Sequence, residues 1–253
     1  MTTRTQPRTA RLCGITGLAG ILVIAWAVNA APPVKMTADV ALIEDLTAES
    51  QGLLTSIEQF LATEESYNDR REQLKRQAVQ IAIFAQALAE HVDDSPVKTS
   101  APGARNAALE LARSTSFEEA SQALPNLKMA VEGKTRGTPA VEADWGKLAN
   151  RGLLMHAMKE RTEAIRRALR RPKDPDVESR HAMAIALMIL SVHGDTRTAK
   201  TPADKSAWQE TCLELQGHMS KAAMAIKTRN ESAADHFRLG MEACDKCHQK
   251  FKP

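Results

Sequence analysis

The sequence predicts an all-α protein: two tandem up-down-up-down four-helix bundles behind an N-terminal export leader. Three observations lead there. From Thr37 onward, long stretches place apolar residues at helical spacing, separated by short segments rich in Pro, Gly, Asp and Thr. Aromatic residues make up only 4% of the 253 residues, and the 43% hydrophobic fraction comes mainly from Ala, Leu, Ile, Val and Met, a mix that favours helices over sheets. The second half of the chain also echoes the first at a nearly constant offset.

Three arginines, Arg4, Arg8 and Arg11, precede a run from Leu12 to Val34 that carries no charge. This is the layout of a secretory signal, and Val28-Asn29-Ala30 offers small or tolerated residues for cleavage after Ala30. Residues 1–30 are therefore expected to direct export to the periplasm and to be removed, taking Cys13 with them. The uncharged run also reaches the ~20 residues needed to cross a bilayer, so an uncleaved anchor is the alternative. The formal charge of +3 resides entirely in those three arginines, which leaves the remainder neutral and excludes a nucleic-acid-binding protein.

Eight helices follow, at about 38–61, 66–92, 102–114 and 117–132, then 142–170, 175–194, 203–228 and 231–250. Pro125 should interrupt or kink the fourth. The first four form a unit at 34–133, residues 134–141 are a linker around Gly137-Thr138-Pro139, and 142–253 form the second unit. Gln51-Gly52-Leu53-Leu54 matches Arg151-Gly152-Leu153-Leu154, and Ala101-Pro102 matches Thr201-Pro202, both 100 residues on. Ile81 through His91 matches Met183 through His193. Four amphipathic helices with short loops pack economically as an antiparallel bundle, so each repeat is read as one. In the fifth helix Leu148, Met155, Thr162 and Leu169 recur every seven residues, with Met158 and Ile165 between them, which reads as a seam facing the core.

Cys244-Asp245-Lys246-Cys247-His248 is a C-x-x-C-H motif, the attachment signature of c-type haem. Residues three apart share one face of a helical turn, so both sulfurs can bond the vinyl-derived carbons of one porphyrin edge. His248 then follows as an axial ligand to the iron. A zinc half-site and a redox dithiol are the competing readings; the first lacks a second cysteine pair and the second lacks a βαβ context. The first repeat contains no cysteine, so one covalent haem c per chain is expected.

The motif near the end of the last bundle helix, with Phe251 and Lys252 three and four residues after the histidine, resembles cytochrome c′ and its low-spin relatives. The resemblance covers residues 142–250 and reaches the first repeat only at the level of the fold. In that family the first-helix motif begins with an arginine, and the residue four positions later faces the distal side of the iron; Arg151 and Met155 match those positions. The resemblance thus implies cofactor contacts from Cys244, Cys247, Arg151, Phe251 and Lys252, and iron ligation by His248 and Met155. Methionine at that position is similar to the low-spin, six-coordinate type, whereas high-spin members carry an apolar residue such as Leu. Lys252 stands where the family commonly has Arg, keeping the charge but losing the planar fork.

Read from the residues alone, Met155 lies on the predicted seam, Met158 and Met188 are competing thioethers, and the repeat-one counterpart of Met155 is Thr55. A His/Met-ligated haem leaves no open position for substrate and suits one-electron transfer to redox partner proteins. A displaceable or absent sixth ligand would instead make the protein a binder or sensor of diatomic gases such as NO or CO. Peroxidase activity is not expected, because no convincing distal acid/base set is present. Repeat one is a haemless copy with a docking role as one option, and a homodimer through the helical bundle is compatible with the architecture. His181, His193, His218 and His236 are read as ordinary helix residues and Cys212 as a small apolar filler. The basic cluster Arg161, Arg166, Arg167, Arg170 and Arg171 is read as a solvated helix end, with docking of an acidic redox partner as the alternative.

Overall fold

In a computed structural model, residues 1–2, 34–135 and 143–251 are described. The leader, most of the linker and Lys252 lie outside them. Among the described residues all regular structure is helical. The helices are α1 (Ile43–Phe60), α2 (Glu64–Glu90), α3 (Ala101–Arg113), α4 (Phe117–Val131), α5 (Arg151–Arg170), α6 (Pro175–Gly194), α7 (Pro202–Lys227) and α8 (Ala233–Phe251), with three short 3-10 turns. No described helix is long and apolar enough to cross a membrane.

Local chemistry sets the boundaries. The Thr63 hydroxyl accepts the Ser66 N–H at 3.1 Å to start α2, Asp174 accepts the Asp176 and Val177 N–H groups to start α6, and Thr201 accepts the Asp204 N–H to start α7. Prolines occupy the first turns of α3, α6 and α7, where a missing N–H costs nothing. At the end of α4, Gly133 adopts φ 73 and the Lys134 N–H reaches back to the Met129 carbonyl at 2.8 Å, closing the helix.

Two sequence expectations need correction. The fifth helix does not begin near 142. A 3-10 turn at Trp145–Lys147, capped by Asp144, comes first, and α5 starts only where the Asn150 side chain accepts the Gly152 N–H at 2.8 Å. That turn is pressed onto the end of α6: a Cβ on Gly146 would fall 2.5 Å from the Gly194 carbonyl, so both positions need glycine. Of the interruption or kink expected at Pro125, the interruption does not occur: α4 runs from Phe117 to Val131 with the proline inside it. Burial of Ala120, Ala123, Leu127, Ala130 and Val131 holds the helix despite the hydrogen bond that proline cannot make.

Consecutive helices pack on one another within α1–α4 and within α5–α8, and α1 also touches α4. The two sets meet through α2, which contacts α5 and α6, and through α1 against α6. Every residue of α2 from Ala78 to Leu88 and of α6 from Ala182 to Val192 is buried, so these segments are covered on all sides and run through the middle of one continuous core. They contain the segments that match between the repeats. Charges seal the junction: Arg161 meets Glu49 at 2.5 Å and donates twice to the Gln80 amide oxygen, at 3.0 and 2.8 Å. Lys227 meets Asp45 at 2.8 Å, and Arg76 meets Glu160 at 3.0 Å.

Candidate functional site

Unlike α1 and α4, α5 and α8 barely touch, and a cleft of about 570 Å³ opens at the end of the second helix set. Its wall includes Arg151, Met155 and His156 of α5, and Cys247, His248 and Phe251 of α8. Residues nearly 100 positions apart, singled out for one chemistry, therefore share one cavity. Its size lies inside the roughly 300–1,000 Å³ range of small-molecule and cofactor pockets.

On α5 the buried stripe is Leu154, Met158, Ile165 and Ala168, with Ala157 beside it. Of the predicted seam, Leu148, Met158 and Ile165 are buried, whereas Met155, Thr162 and Leu169 are half-buried. The buried face also takes in Leu154, Ala157 and Ala168, because α5 packs against both α6 and α2. Met155 is consequently half-buried at the edge of the core and lines the cleft, while Met158 and Met188 are core residues outside its wall. His156 is exposed and lines the cleft as well. Thr55, the repeat-one counterpart of Met155, is exposed.

On α8, Cys244 and Cys247 are free and half-buried one turn apart, and His248 is exposed. Burial pushes the Cys244 thiol up to about 12, with the neighbouring Cys247 adding to the effect. Burial also raises Cys247, against the opposing charge of Arg151. Both thiols therefore differ from the thiolate-stabilised pair of a dithiol oxidoreductase, in which the reactive sulfur is shifted down. Cys212 is 2% exposed and packs as the small apolar residue its sequence context suggests. Among the described residues, no three His, Cys, Asp or Glu side chains converge on a common point.

The back of the cleft contains a residue the sequence analysis did not nominate. Trp208 of α7 is 3% exposed, donates its indole N–H to the Val192 carbonyl at 2.9 Å, and meets the Phe251 ring edge-on at 5.3 Å. The Arg151 guanidinium lies 5.7 Å from the Trp208 ring centre and donates to the Thr198 hydroxyl. Arg151 is thereby braced toward the cleft by α7 and by the turn after α6. Only the rarity of tryptophan in this chain could have signalled Trp208, because its partner Phe251 lies 43 positions away. Lys246 with Glu214 at 2.8 Å, and Lys250 with Asp204 at 3.6 Å, hold α8 against α7.

The other histidines have structural partners or surroundings. His181 is bonded to Arg161 at 3.0 Å, His218 and His236 face each other with ring centres 6.3 Å apart, and burial lowers His193. No family model, curated protein or solved structure matches this chain.

Proposed function

We propose that this protein is an exported c-type cytochrome carrying one covalent haem in the α5–α8 cleft and working in one-electron transfer. The supporting observation is the shared cleft, which gathers Met155, Cys247, His248, Arg151 and Phe251 from two distant segments. The donor set fits the group: two thiols one helical turn apart for thioether attachment, an imidazole next to them, and a thioether on the facing helix. When bound, the haem supplies an iron that cycles between ferric and ferrous states.

The remaining work falls to the chain. Cys244 and Cys247 would fasten the group to α8, and His248 and Met155 would supply the ligands to its iron. Trp208 and Phe251 form an apolar wall that limits water, which together with a thioether ligand favours the reduced state. Arg151, fixed by Thr198 and Trp208, would offer a cation to the carboxylates of the group. On this reading the chain is two tandem four-helix bundles, the first a haemless copy that buttresses the second through α2 and the Arg161 and Lys227 contacts.

Intact mass of the protein isolated from its host tests the proposal. The expected value is the polypeptide after cleavage at Ala30 plus one haem, with Cys244→Ala/Cys247→Ala losing the acid-stable haem. Two haems per chain, or haem retained covalently by the double variant, would overturn it.

A further inference from the structure

The corner where α5 turns into α6 carries two concavities at the end of the second helix set remote from the cleft. Along α5, Met155 and Arg170 are separated by about 22 Å at 1.5 Å per residue. The first concavity, about 660 Å³, is ringed by Arg167, Arg170, Arg171 and Lys173. Its neighbours Arg161, Arg166 and Arg180 all have carboxylate partners, whereas none of these four cations has one among the described residues. The end of α5 accounts for Arg167 and Arg170 through the helix dipole, but not for Lys173 or for the hollow. Glu178 also lines it, with one carboxylate oxygen accepting the Lys173 N–H at 2.7 Å. His181, in the same wall, is pushed down to about 4, first by burial and then by Arg161, with Glu49 opposing and Arg167 and Arg180 reinforcing.

The second concavity, about 270 Å³, shares Ala168 and Glu178 with the first, so the two are contiguous. Its wall is mainly apolar, including Leu169, Pro172, Pro175 and Ile226, with Arg229 and Glu231 at the α7–α8 turn. Arg229 holds φ 53, the left-handed residue that closes α7, with the Asn230 N–H reaching back to the Ala225 carbonyl at 2.8 Å, and this turn sets its side chain at the rim of the second hollow. On the same ends of α6 and α7, Val177 and Met224 are large apolar residues left 43% and 39% exposed.

A cationic hollow opening directly onto an apolar one matches an amphiphile with an anionic head. We propose that this corner binds an anionic phospholipid, the phosphate among Arg167, Arg170, Arg171 and Lys173 and the acyl end along Leu169, Pro172 and Ile226, so that the protein rests on an anionic membrane surface. A free phosphate or an acidic peptide would use the first hollow but leave the second idle. The inference is independent of the haem assignment, because none of its residues lines the cleft.

The test uses the protein as isolated from its host, with vesicles of phosphatidylcholine alone or with phosphatidylglycerol, and with soluble dihexanoyl-phosphatidylglycerol against glycerol phosphate. Phosphatidylglycerol vesicles should bind and phosphatidylcholine vesicles should not. Arg170→Gln/Arg171→Gln should weaken binding about 25-fold, at roughly fivefold per charge near an anionic surface. Arg229→Gly, which also relieves the backbone, should weaken it about fivefold with helical content unchanged. Lys200→Gln/Lys205→Gln, the same charge loss at the other end of α6 and α7, should leave binding within twofold. The dihexanoyl lipid should bind at least tenfold more tightly than glycerol phosphate. Equal losses in both double variants, equal binding of the two soluble ligands, or oligoglutamate binding as tightly as the lipid would each overturn the proposal.

Discussion

His181 makes the stability of this fold depend on pH in a direction and window that follow from its surroundings. Its imidazole is half-buried on α6, 3.0 Å from an Arg161 nitrogen, with Arg167 and Arg180 also close and Glu49 as the opposing charge. Burial is the largest influence and the cations add to it, bringing the folded value to about 4 from an ordinary 6.5. Between these values the unfolded chain holds a proton that the folded chain does not, so stability rises with pH across the window. It is lost as pH falls from about 6.5 to about 4. At ~1.36 kcal/mol per pH unit, the loss attributable to this residue is about 3 kcal/mol. His181→Gln keeps an acceptor for Arg161 and removes the titration. Urea unfolding followed by helical circular dichroism at pH 7 and pH 4.5 should show the wild type losing about 2–3 kcal/mol more than the variant. Carboxylate titration is common to both proteins and drops out of the difference. Parallel losses in the two proteins would refute the argument, meaning that His181 gains its proton in the folded state as easily as in the unfolded one.

Other consequences can be checked separately. Met155→Leu should convert a low-spin ferric spectrum to a high-spin, carbon-monoxide-reactive one at a stability cost under ~1.5 kcal/mol, since the side chain is only half-buried and the swap conserves volume. A wild type already high-spin would instead favour gas binding, and the same spectral change from His156→Ala would move the ligand one position along α5. Gly194→Ala should destabilise the fold by about 1–3 kcal/mol in thermal unfolding, because its Cβ would fall 2.5 Å from the Gly146 nitrogen in backbone that cannot yield cheaply. Trp208→Phe should cost about 1–3 kcal/mol by removing the indole N–H bond to the Val192 carbonyl and part of a buried ring, and should loosen Arg151, seen on the proposed reading as a changed haem absorption spectrum.

Much of the architecture was legible in the sequence because it rests on local rules. Helical periodicity, caps such as Thr63, Asp174 and Thr201, and first-turn prolines act within a few residues, so eight helices could be placed with most ends within a few positions. The C-x-x-C-H motif is local in the same sense: its spacing alone puts two sulfurs on one helical face. What only the tertiary structure decided depends on contacts between distant segments. That a 3-10 turn stands where the fifth helix was expected to begin goes with the Gly146–Gly194 approach, and that the buried face of α5 takes in Leu154 follows from its position against α6 and α2. The same packing separates Met155, at the cleft, from Met158, in the core, a distinction that heptad spacing does not contain. Trp208, the Arg161–Glu49–Gln80 junction and the paired hollows at the α5–α6 corner were invisible for the same reason. Each is assembled from helices whose relative placement is fixed by burial of a shared core, and a pattern read along one helix specifies which face is apolar but not which neighbour will cover it.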